Sequence, residues 1–114
     1  MENSDLSLAW FEVQAMIKER FGKEHLPDLN AVLFLIGLQE LGGLQTTFSK
    51  EEKQDLMHLA VCRLLSMRDY YRFSGYDEEG WPHWEAVKPI EVKGKAQEEL
   101  LKELVVEYFR ARKE

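Results

Sequence analysis

The sequence predicts a mainly α fold: a four-helix bundle-like single domain over residues 1–114, with a short aromatic hairpin or irregular loop between the third and fourth helices. Two observations predict it. Apolar residues recur at helical spacing in four segments, about residues 5–21, 28–41, 50–69 and 95–112, joined by short links. One segment, residues 70–92, breaks that pattern with rings, acids and prolines. A chain of 114 residues fits one domain and buries roughly two-thirds of its unfolded surface without crosslinks.

In the first segment Leu6, Trp10, Val13, Ile17 and Phe21 share a face, widened by Ala9 and Met16. Ser4 is the expected N-cap, because its hydroxyl can accept a free backbone N–H, and Gly22 is the expected stop. The second segment opens at HLPDLN, where Pro27 suits a first turn and Asp28 complements the positive helix end. AVLFLIGLQEL then runs apolar nearly all round to Gly42-Gly43, the pattern of a buried central helix. The third segment starts with a capping-box pattern, Ser49 and Glu52, preceded by Phe48 positioned to pack over the first turn. Its inner face reads Leu56, Ala60, Leu64, Met67 and Tyr71.

Residues 70–92 contain YYRFSGY, a DEEG turn sequence and WPHWEAV. An aspartate at the start of a four-residue turn and a glycine at its end favour a turn, and the flanking rings allow a hairpin. Pro82 confines the second arm to an edge strand or an irregular loop. In the last segment Leu100, Leu101, Leu104, Val105, Tyr108 and Phe109 line one side of an amphipathic helix, and Glu98 and Lys102 form an i,i+4 pair on the other. The tail RARKE is expected to fray.

Charge and cysteine usage narrow the function classes. The formal net charge of -6 argues against general nucleic-acid binding, which needs a positive surface. The longest apolar run, residues 29–38, is too short to span a membrane. The start, MENSDLSLAW, lacks the basic and apolar regions of a signal peptide. A single cysteine, Cys62, excludes an intramolecular disulfide and a cysteine-cluster zinc site, and it suits a reducing compartment. The expectation is a cytoplasmic, acidic protein with no membrane and no nucleic-acid partner.

Catalytic signatures are missing from the sequence: it has no P-loop, no dinucleotide-binding glycine pattern, no HExxH and no G-x-S-x-G. Cys62 lies among apolar residues and reads as a packed side chain. Asp55 and His58 have the spacing of one half of a carboxylate-bridged metal site, but no second half exists, so neither a metal nor another cofactor is expected. Glu40 and Arg63 fall on apolar faces of neighbouring helices, where they either meet as a partly buried ion pair or reach water at helix ends.

The most unusual stretch is GYDEEGWPHWE, residues 75–85. Tyr76, Trp81, His83, Trp84 and Glu85 are its candidate interaction or ligand residues. Large rings beside acids serve as packing anchors, as a partner surface or as walls of a ligand site. Leu8 and Phe11 lie off the inner stripe of the first helix, as do Val61 and Leu65 in the third, and surplus apolar faces point to a partner or a second copy. The leading expectation is a non-catalytic interaction module that self-associates. The alternative is a small enzyme or ligand-binding protein with its site between the helices and residues 76–85.

Overall fold

The computed structural model describes residues 3–43 and 45–112; the last two residues of the tail expected to fray lie outside these. Among the described residues the elements run α1 (Asn3–Arg20), α2 (Leu29–Leu41), α3 (Lys50–Ser66), β1 (Tyr71–Tyr76), β2 (Pro82–Ala86) and α4 (Lys95–Ala111). The fold is mainly α, with one two-stranded antiparallel sheet. The chain divides into two compact units, one of Met1–Leu29 with Glu91–Glu114 and the other of Asn30–Ile90.

In the first unit α1 packs on α4. Leu6, Ala9, Trp10, Val13 and Ile17 of α1 are buried, as are Leu101, Leu104, Val105, Val106 and Tyr108 of α4. The Lys102 ammonium sits 5.5 Å from the centre of the Trp10 ring, a cation–π contact between the two helices. Two details of α1 differ from expectation. Ser4 lies inside the helix rather than capping it, because the helix already starts at Asn3. Phe21 is 56% exposed, because it stands past the last helical turn. There the chain closes the helix with two reaching bonds, Lys23 N–H to the Lys18 carbonyl and Gly22 N–H to the Glu19 carbonyl. That pattern needs a left-handed residue, supplied by Gly22 at φ 62°. Pro27 stands outside α2 rather than in its first turn. It is buried, and its carbonyl accepts a 2.7 Å hydrogen bond from the Gln14 side chain.

In the second unit the contact between α2 and α3 turns on Gly37. A β-carbon built there would overlap the Leu56 carbonyl oxygen and come within 2.7 Å of its carbonyl carbon. Only glycine permits that approach, which explains a glycine in the middle of an apolar helix. Around it Val32, Leu33 and Ile36 are buried against neighbours, while the rest of α2 is half-buried or exposed. Phe48 packs edge-on to Phe34 of α2, at 6.4 Å between ring centres.

The capping box of α3 is complete. Ser49 Oγ accepts from Glu52 N–H at 3.1 Å, and Glu52 Oε1 accepts from Ser49 N–H at 2.9 Å. The Ser49 N–H, and then the Gln45 side-chain amide, hold the Glu52 carboxyl below its ordinary range. Leu65 is fully buried, not part of a surplus face, because the inner side of α3 spans Leu56, Leu59, Ala60, Cys62, Leu64 and Leu65. The helix ends at Ser66, short of residue 69, and Asp69 takes a left-handed conformation at φ 64°. Tyr71 therefore opens β1 instead of extending the inner helical stripe.

Candidate functional site

The hairpin is ordered around one carboxylate. Asp77 Oδ1 accepts the backbone N–H groups of Glu79 and Trp81, each at 2.9 Å, and Oδ2 lies 2.9 Å from His83 Nε2. The backbone closes the same turn, with Gly80 N–H donating to the Asp77 carbonyl at 3.0 Å and Gly80 at φ 88°. An aspartate at the first turn position does this work because its short side chain reaches the N–H groups two and four residues on. The His83 contact, then the Trp81 N–H, hold the Asp77 carboxyl below its ordinary value of 3.8.

The strand register sets the faces. Phe73 pairs with Trp84, Gly75 with His83 and Tyr76 with Pro82, with an irregularity between Phe73 and Gly75. The extra residue shifts the alternation, so Tyr76 falls on the face of Phe73 and Trp84. Gly75, at φ 117°, supplies the backbone freedom for that shift. Ring contacts follow from it: Phe73 lies 5.1 Å from Tyr76 and 5.5 Å from Trp84, both edge-on.

Between α3 and the turn end of the hairpin lies a cleft of about 460 Å³. The helix contributes Glu52, Asp55, His58, Leu59 and Cys62, and the hairpin contributes Asp77, Glu79 and residues 81–84. Among the expected site residues, Trp81, His83 and Trp84 line this cleft, whereas Tyr76 and Glu85 do not. Tyr76 is 68% exposed beside Phe73, and Glu85 faces Arg72 at 3.7 Å on the surface. Glu40 and Arg63 stand apart from the cleft and face each other, with Oε1 3.3 Å from Nε and both side chains partly exposed.

Sequence reading missed the helical half of the cleft. The signal lay in the spacing of Glu52, Asp55, His58, Leu59 and Cys62, which recur every three or four residues and so share one face of α3. The direction that face looks becomes plain only once the hairpin folds back.

His58 Nε2 lies 3.5 Å from Cys62 Sγ, the pairing that in other settings activates a thiol. Here burial pushes the thiol up to about 11, against the smaller opposing effect of a hydrogen bond with Tyr71. A thiol held there stays protonated near neutral pH and is a poor nucleophile. Burial, and then the neighbouring thiol, in turn raise the Tyr71 hydroxyl. Among the described residues no group of three or more His, Cys, Asp or Glu side chains is gathered for a metal ion. The Trp84 indole N–H is buried and has no hydrogen-bond partner among them.

No protein-family model, curated protein or solved structure matches the chain. Among the described residues no helix is long and apolar enough to cross a membrane.

Proposed function

We propose that the chain is a non-catalytic protein-interaction module that pairs with a second copy of itself through α1. The observation that carries this reading is an apolar stripe on the side of α1 away from its core. Leu8 and Phe11, one turn apart, are 61% and 51% exposed, while Leu6, Ala9, Trp10, Val13 and Ile17 of the same helix are buried. A helix apolar on two faces gains by covering both. From Phe11 the stripe borders an open groove lined by Ala15, Gly22 and Leu26 together with Lys18, Glu19 and Lys23. Glu12 and Lys18 flank Ala15 on opposite sides, so a parallel second copy meets each charge with its opposite. A single cysteine, Cys62, suits such a module in a reducing compartment.

Light scattering across a concentration series tests the pairing. The expected mass rises toward twice 13.4 kDa for the native chain and stays at 13.4 kDa for the double variant Leu8→Ser, Phe11→Ser, with the helical circular dichroism of both unchanged. A native chain of single mass throughout refutes the pairing.

A second reading is favoured by the cleft itself. A concave site of about 460 Å³ with two indoles in its wall lies in the size range of small-ligand sites. On this reading α3 and the hairpin form a ligand-binding surface, in which Trp81, His83 and Trp84 hold the ligand.

A further inference from the structure

We propose that the cleft between α3 and the hairpin takes a guanidinium group, presented by free arginine or by an arginine residue of a peptide. This rests on the second reading above and names its ligand class. Two features of the cleft converge on it. First, its lining holds carboxylates from both α3 and the turn and no lysine or arginine, and its two histidines are engaged, His58 with Cys62 and His83 with Asp77. Two of those carboxylates are already engaged, Glu52 in the capping box and Asp77 in the turn. The other two, Asp55 on the helix and Glu79 on the turn, have no partner among the described residues. They border the cleft from its two sides and are left to meet a cation.

Second, the cleft is walled by Trp81 and Trp84. A planar, weakly hydrated cation stacks on such rings, and guanidinium does so better than ammonium while also reaching carboxylates with its several N–H donors. A bare metal ion does not fit the same lining, because no three candidate ligands converge. An arginine side chain carries the complementary group, a planar cation that stacks on the Trp81 or Trp84 ring while its N–H donors reach Asp55 and Glu79.

The test follows the Trp81 and Trp84 indole N–H resonances of the full chain by NMR. The probes are the tripeptide Ac-Gly-Arg-Gly-NH2, free arginine, and the neutral isostere Ac-Gly-citrulline-Gly-NH2. The arginine tripeptide is expected to move both resonances saturably, and the citrulline tripeptide to bind at least about tenfold more weakly. The double variant Asp55→Asn, Glu79→Gln, both at exposed positions, is expected to weaken the arginine tripeptide about tenfold while keeping the native spectrum elsewhere. Tripeptide binding well above that of free arginine assigns the ligand to a chain segment; equal binding assigns it to the free amino acid. Both support the guanidinium site. Equal binding of the citrulline tripeptide overturns the charge assignment but leaves a ligand cleft. Absence of any indole shift with all three probes overturns the cleft reading as well.

Discussion

The unit of α1 with α4 and the unit of α2, α3 and the hairpin are stabilised by different means. In the first, two long helices bury facing apolar stripes, and polar contacts such as Lys102 over Trp10 decorate the edge. In the second, geometry is specified locally: a glycine that admits a neighbouring carbonyl, a complete capping box, and an aspartate that ties a turn together. Burial is tolerant of exact shape, whereas those local devices are not. A tolerant apolar pair leaves surplus apolar surface for association. A locally specified hairpin holds side chains at fixed positions around a cleft.

Mutations that break this contrast are ordered by expected effect. Ile17→Ala removes a fully buried side chain of the first unit and is expected to cost about 2–5 kcal/mol in denaturant-measured stability. Gly37→Ala forces a methyl into the Leu56 carbonyl and is expected to cost about 1–3 kcal/mol, because backbone, unlike a flexible side chain, cannot step aside. An unchanged unfolding midpoint for Gly37→Ala would remove the close approach from the account. Ser49→Ala deletes the cap of α3 and is expected to cost about 1 kcal/mol. Leu8→Ser, measured at concentrations too low for pairing, is expected to stay within about 0.5 kcal/mol of the native chain, since the residue touches no core.

The Asp77 carboxyl gives a pH signature of the second unit. Its value in the folded chain is lowered, so its contribution to stability is fully present above the ordinary carboxylate value of 3.8. That contribution falls away as pH drops through the lowered folded value. The Asp77→Asn variant is expected to lose this part of the acid dependence and to loosen the turn, seen as faster amide exchange at Glu79 and Trp81. Equal acid profiles for the two proteins would mean that the turn does not depend on the charge.

Much of this molecule was legible in its sequence, and the gaps have physical causes. The capping box at Ser49 and Glu52 and the stop at Gly22 could be read because each depends on a few adjacent residues. The stripes of α1 and α4 could be read because period alone places them. Leu65 was misread because the width of a buried face depends on what packs there, which no single helix records. Phe21 was misread because a periodic stripe does not announce the turn at which the helix ends. Trp81, His83 and Trp84 stood out by composition, yet Asp55 and His58 join them only through the fold-back of the hairpin onto α3. Gly37 was overlooked, although a glycine inside a long apolar helix is itself a sign of close backbone approach.

In the proposed reading, association uses α1 and ligand binding uses the α3–hairpin cleft. Dilution of the isotope-labelled chain from millimolar to micromolar concentration, followed by amide and indole NMR, tests it most directly. The amides of Leu8, Phe11 and Ala15 are expected to move with dilution while the indole resonances of Trp81 and Trp84 stay in place. Indoles that move while α1 stays still would contradict it.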